Sequence, residues 1–343
     1  MLPERKKRVQ EAIKRLLPED GIVAVDVGAR GDIPSHWLPM DGLATIVSFD
    51  PDVEACTRLR ETYAARGNAH MYRVYPIALS AETEERTLYV TNSGGGSSLF
   101  DVDVPIVRAY TDEEYLFPLQ KTTIQTRSAR DVFREIDCTE FHLMKLDIQG
   151  AELEVLTSLG EELMRPVLAV ELEAALQVKG VGYPTFVDVD TFMRRQGFDL
   201  YDVNPVRVHR SLRGRRSNYL EDMLGVDVRS PSVAGRAWEV DALYIRSPES
   251  LVSRIDVGTI LRVAVCFGLY DLFTEALHSL SVASDVGLLD RHQFAEMTSA
   301  IVQWHRSSSY RWWHSTNWGG RIARRIAKRV RRTVDPIHGA LSS

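Results

Sequence analysis

Apolar residues in the first 250 positions gather into short, near-continuous runs. GIVAVDV (21–27), ATIVSFD (44–50), HMYRVYPIAL (70–79), FHLMKLDI (141–148) and PVLAVELE (166–173) are five of them. Runs of this kind mark strands that are covered on both faces. FDLYDV (198–203) and EVDALYIR (239–246) bring the expected strands to seven. Residues 4–17, VEACTRLRETYAA and TFVDVDTFMRRQG repeat their apolar positions at helical spacing. Strands alternating with helices predict βαβ units and a parallel sheet with helices on both sides.

Two insertions interrupt the alternation. Residues 81–140 hold a further β segment (RTLYVTN), a glycine-serine loop (SGGGSSLF), and a strand and helix (TTIQTRSARDVFREI). Residues 204–238 hold a basic loop, VRVHRSLRGRRSNY. Beyond about residue 250 the pattern turns helical: TILRVAVCFGLYDLFTEALHSL and RHQFAEMTSAIVQW read as two packed helices. The expected organisation is an α/β domain over 1–250 and a helical C-terminal region over 251–343. No internal repeat is visible.

Composition adds three constraints. With 44% apolar and 26% charged residues the chain is an ordinary globular protein. Cys56, Cys138 and Cys266 are scattered, without CxxC or metal-ligand spacing, and read as free thiols of a reducing compartment. The charged start lacks the apolar core of a secretory signal, and no run of 18 apolar residues could span a bilayer. Charge is uneven: nine Lys/Arg and one acid give residues 304–343 a charge of +8, so residues 1–303 carry −13 of the net −5. A basic tail on an acidic body implies a separate task for the tail.

The candidate chemistry sits at strand ends, where open α/β sheets place their ligands. After the first strand, Asp26 precedes Gly28 and Gly31. Gly28 suits a close backbone approach and Gly31 unusual dihedrals. Asp26 stands where a dinucleotide fingerprint has its first glycine; it repels a pyrophosphate and suits an amino group and positive charge. Asp50 ends the second strand 24 residues later, where an acid binds ribose hydroxyls, while Asp52 suits the next helix cap. Ribose without pyrophosphate points to S-adenosylmethionine. Asp147 ends the fourth strand and faces the same ligand, as a counter-charge to a sulfonium, as a base, or as a metal ligand. Gln149 and Gly150 turn the chain, and Leu153 and Leu156 return the next helix to the sheet, with Glu152 and Glu154 outward.

MKLDIQGAELEVL, VDVGARGD, FDPD, PIALS, SGGGSSLF, YPTFVDVDTFMRRQGFDLYDV and EVDALYIR occur in one order. Together these blocks resemble the FkbM-type family of S-adenosylmethionine-dependent methyltransferases, over about residues 20–247. The resemblance implies a Rossmann-like, seven-stranded class I methyltransferase sheet with the last strand antiparallel, followed by the helical extension. It also implies O-methylation, often of sugars or natural-product hydroxyls, and an adenine bordered by Ala78, Leu79 and Ser80. Two positions depart from the family. Gln149 replaces the usual glutamate, so that residue is no base here. Gly31 comes one position early, and Pro34 shortens the helix expected after it.

Methyl transfer to an alcohol needs alignment and a proton acceptor. Asp147, then Glu173, then His36 are the candidate bases; Glu171 shares a strand face with Glu173. Arg207, His209, Arg210, Arg213, Arg215 and Arg216 form a basic lid suited to an anionic part of the acceptor. The favoured acceptor is a glycan, glycolipid or natural-product hydroxyl. No metal is assigned; a divalent ion at Asp147 defines a metal-dependent variant of the same enzyme. A nicotinamide dehydrogenase would share the fold and Asp50 but is disfavoured by Asp26 in the pyrophosphate glycine's place; a glycan-binding protein with a decayed site is a further alternative, given Gln149. In the tail, Ile322, Ile326, Val330 and Val334 recur every four residues among seven Lys/Arg between 321 and 332, with Trp312, Trp313 and Trp318 before them. This is the pattern of an interfacial helix over 319–334 on an anionic membrane; docking on the acidic body or homodimerisation is the alternative. Nucleic acid is disfavoured, since no base-reading module is visible. The expected location is the cytoplasm, peripheral to the inner face of the membrane.

Overall fold

The computed structural model describes residues 3–92, 94–110, 118–210, 225, 235–251 and 256–307. Its strands, in chain order, are β1 (Ile22–Val27), β2 (Ala44–Phe49), β3 (Tyr72–Tyr75), β4 (Ala78–Ser80) and β5 (Glu85–Thr91). They continue with β6 (Pro118–Ser128), β7 (Leu143–Leu146), β8 (Ala169–Ala175), β9 (Asp199–Val208) and β10 (Arg236–Ile245). Seven form one sheet in the order β3-β2-β1-β7-β8-β10-β9. All neighbours are parallel except β10, which runs antiparallel to both β8 and β9. This is the class I methyltransferase sheet, with its last strand reversed. The order switches direction between β1 and β7, and their C-terminal ends open the crevice that such sheets use for ligands.

Two cores flank the sheet. On one face, α1 (Pro3–Leu16) and α2 (Val53–Ala64) contribute Val9, Ala12, Ile13, Leu16, Cys56, Leu59 and Tyr63. The same cluster takes in α8 (Val257–Leu269), α9 (Phe273–Asp285) and α10 (Arg291–Ser307), which follow the short α7 (Pro248–Leu251). On the other face, after the short α3 (Val104–Arg108), α4 (Ala129–Glu135), α5 (Glu152–Met164, kinked at Gly160) and α6 (Phe186–Arg195) bury Phe133, Leu156, Leu159, Val189 and Met193. Alternate strand residues feed the two sides: Ala24 and Ile46 join the first core, Val25 and Val47 the second.

Four elements differ from the sequence expectation. The third run breaks at Pro76, which has no N–H for a ladder, and Ile77 N closes a tight turn on Tyr75 O at 3.0 Å. Ala78–Ser80 therefore leaves the main sheet and forms β4 of a second sheet, ordered β4-β6-β5. The first C-terminal helix divides into α8 and α9 because Asp271 takes a left-handed φ of 62°. The basic loop starts later than residue 204, since β9 continues to Val208 and pairs with Arg236 at the start of β10. Finally, the helix expected after the first glycine turn is a 3-10 turn, Ser35–Met40, starting just after Pro34.

Candidate active site

The tips of β1 and β7 touch. Gly28 has φ +88°, and a Cβ on it would lie 2.2 Å from the Asp147 carbonyl oxygen, so only glycine fits there. Its N–H bonds Phe49 O of β2 at 2.8 Å, and Asp147 N bonds Val27 O at 3.0 Å. Below the tips, Ser48, Asp26, Lys145 and Glu171 lie in register across four strands. A polar row inside a sheet of apolar strands is costly unless its members pair with one another.

Lys145 is the centre of that row. Its Nζ lies 3.4 Å from Asp147 Oδ2 and 3.9 Å from Asp26 Oδ1. Asp26 is 4% exposed, and its Oδ1 has no hydrogen-bond partner among the described residues. Burial pushes its carboxyl up to about 6, against the pull of Lys145. Glu171 is buried as well, but His36 Nε2 at 2.7 Å, Lys145, and the Tyr270 hydroxyl at 3.2 Å outweigh burial and hold it below the usual carboxylate range. The Tyr270 ring also lies 5.0 Å from that of His36. His36 is thus a buried partner of Glu171. On the far side of β7, Gln149 donates through Nε2 to Glu173 Oε1 at 2.9 Å and to Asp147 Oδ1 at 3.3 Å.

The turn after β7 is pinned from two directions. Glu152, expected to face outward, is 4% exposed and accepts from Ile148 N at 2.9 Å and Gly150 N at 2.8 Å. The first helical turn follows the demands of unpaired backbone N–H groups and not the apolar stripe further along. Burial lifts Glu152 to about 7, against those backbone bonds. Glu154 also turns inward, accepting from Ser80 Oγ at 2.6 Å and Arg86 at 3.0 Å. From above, Ser98 Oγ donates to Gln149 O at 2.6 Å, while Phe100 and Tyr183 meet 5.4 Å apart over Gly150. Lys145, Glu152, Ser98 and Tyr270 escaped the sequence reading; only the unusual glycine-serine loop hinted at one of them.

The remaining candidates fall elsewhere. Asp50 ends β2 buried, its Oδ1 accepting from Asp52 N at 2.8 Å and its Oδ2 lying 3.2 Å from Arg30 Nε. Each oxygen keeps a lone pair for a hydroxyl. Asp52 caps α2 through Glu54 N and Ala55 N, both at 3.0 Å. Gly31 has no left-handed φ and open space around it, so unusual dihedrals do not explain it. Ala78, Leu79 and Ser80 lie on β4 and not at the tip of β3, where Tyr75 stacks on Phe49 at 5.4 Å. Arg207 donates to Gly235 O at 2.8 Å, and Arg210 lies 4.8 Å over the Tyr110 ring. His209 is half-buried on the same segment; Arg213, Arg215, Arg216 and the tail lie outside the described residues. No group of three or more His, Cys, Asp or Glu suited to a metal occurs among the described residues.

A seven-stranded sheet of this order with acids at its switch point defines a class I, S-adenosylmethionine-dependent methyltransferase. The family model described as the methyltransferase FkbM domain matches residues 26–200, and the chain belongs to that family. It is 24% identical over 170 residues to the 2-O-methyltransferase NoeI of Sinorhizobium fredii (strain NBRC 101917 / NGR234), covering 48% of this chain and 68% of that protein. Among solved structures it is similar to a precorrin-6y C5,15-methyltransferase from Geobacter metallireducens GS-15, with TM-score 0.32 and 10% identity over 70% of this chain and 87% of that one. The magnesium protoporphyrin IX methyltransferase of Synechocystis PCC 6803 gives TM-score 0.32 and 9% identity over 71% and 79%.

Proposed function

We infer that this methyltransferase moves the methyl group of S-adenosylmethionine to a hydroxyl of a sugar, in a glycan or glycolipid. The observation that carries the reading is the buried Oδ1 of Asp26 near the Gly28 tip, which has Lys145 at 3.9 Å but no hydrogen-bond partner among the described residues. A cationic amino-acid end fits there, and Asp50 on the neighbouring tip fits a ribose diol. The bound donor supplies an electrophilic methyl on a sulfonium, open to in-line attack. The chain's own groups align the hydroxyl and take its proton. Asp147 is the base in this reading. Its side chain is 38% exposed, whereas those of His36 and Glu171 are 3% and 6% exposed and bound to each other. Glu173 is buried under Gln149.

The sugar rests on NoeI, a 2-O-methyltransferase at low identity. An anionic portion of the acceptor, held by Arg207, His209 and Arg210, is part of the same proposal. The test is transfer of labelled methyl from S-adenosylmethionine to a panel of methyl pyranosides, free and phosphorylated. Label on a ring hydroxyl, lost in Asp147→Asn, is expected. No label on any sugar while the donor binds would overturn it.

A further inference from the structure

Gln149 occupies a place its chemistry makes informative. Its backbone is left-handed, at φ 57°, although it is neither glycine nor asparagine. Ser98 holds its carbonyl from above, and Glu152 holds the N–H groups on either side of it. Strain kept in place from several directions is common at functional sites. The side chain is 6% exposed and clamped through one end only. Both contacts of Nε2 are carboxylates, which accept, so the amide orientation is fixed by chemistry. That leaves Oε1 buried and without a hydrogen-bond partner among the described residues. An unpaired buried acceptor is costly, and a native protein keeps one where a ligand supplies the donor.

We propose that Gln149 Oε1 receives the hydrogen bond of a second hydroxyl of the acceptor, next to the one that is methylated, making Gln149 a specificity residue for a vicinal diol. The inference rests on the sugar-hydroxyl reading above. Its geometry follows from the strand order β2-β1-β7-β8. In that reading the donor spans the tips of β2 and β1, and Gln149 reaches the opposite way, toward Glu173 of β8. Only the acceptor approaches from that side. Gln149 Nε2 donates to Asp147 Oδ1, so the amide that carries the unpaired oxygen lies against the base. Asp147 takes the proton of the reacting hydroxyl, and Gln149 holds the neighbouring O–H without exchanging a proton. A glutamate here would also accept, but could not donate to the two carboxylates.

The test compares a methylated methyl pyranoside with its monodeoxy analogue lacking the hydroxyl next to the reacting one. The wild-type enzyme is expected to lose about tenfold or more in kcat/KM on the analogue. In Gln149→Met, which is similar in length and has only a weakly accepting sulfur, the two sugars should react alike. Gln149→Glu should restore the preference for the intact sugar. Titration with S-adenosylhomocysteine should give wild-type affinity in both variants, showing that they fold. Preference retained in Gln149→Met overturns the role of Gln149 and leaves sugar methylation standing. Donor binding with no pyranoside methylated by the wild type removes both.

Discussion

Gly28 and Gly31 stand three positions apart and differ completely in what they allow. A methyl on Gly28 meets the Asp147 carbonyl at 2.2 Å, whereas one on Gly31 meets nothing within 4 Å. Gly28→Ala should therefore force β1 and β7 apart and abolish donor binding. Gly31→Ala should leave the calorimetric donor affinity unchanged. Glu152 gives a pH prediction. Its carboxyl is raised by burial to about 7 in the fold, so the folded state holds this proton more tightly than the unfolded chain. Its contribution is full at acid pH and is lost as pH climbs from the ordinary carboxylate range through about 7. Urea unfolding at several pH values should show that slope, flattened in Glu152→Gln. Asp26, Asp50 and Asp147 were legible because each is a carboxylate at, or one residue before, the end of an apolar run. Glu152 and Lys145 were not, because helical and strand periodicity report which face a residue lies on and not which backbone N–H or carboxylate it meets.

Among the elements, the long apolar runs predicted their strands because seven such runs need a sheet to bury them. Breaks within runs were harder to read. Pro76 alone splits β3 from β4, and Asp271 splits α8 from α9 by accepting a conformation that its type tolerates. The glycine-serine loop could be seen in the sequence, but not that it docks on the β7 turn through Ser98 Oγ and Gln149 O. Ser98→Ala should lower stability by about 1 kcal/mol, the worth of one buried hydrogen bond, and lower turnover more than donor affinity. Trp304 joins α10 to the rest: it is 2% exposed, and a Cβ on Gly268 of α8 would come 2.6 Å from its ring. Trp304→Ala should cost about 3–5 kcal/mol in chemical unfolding, as large aromatic truncations in cores do.

Across the whole molecule, the helices after residue 256 share one hydrophobic cluster with α1 and the sheet, and Tyr270 at the end of α8 reaches Glu171. Tyr270 thus ties α8 to the polar row through Glu171. No helix among the described residues is long and apolar enough to cross a membrane. The basic tail is a separate proposal, resting on its spacing of isoleucine, valine and arginine. Deleting residues 319–343 should weaken sedimentation with anionic vesicles and spare donor binding; unchanged sedimentation counts against an interfacial helix. Everything proposed for the site depends on Asp26 meeting the cationic end of the donor. Calorimetric titration of S-adenosylmethionine into the wild-type protein and Asp26→Asn, across pH, tests this most directly. Saturable wild-type binding is expected, strengthening as pH rises through about 6, where Asp26 ionises. In Asp26→Asn it should be weaker by about tenfold or more, without that pH step. Equal affinities in the two proteins, or no binding to the wild type, would contradict the account.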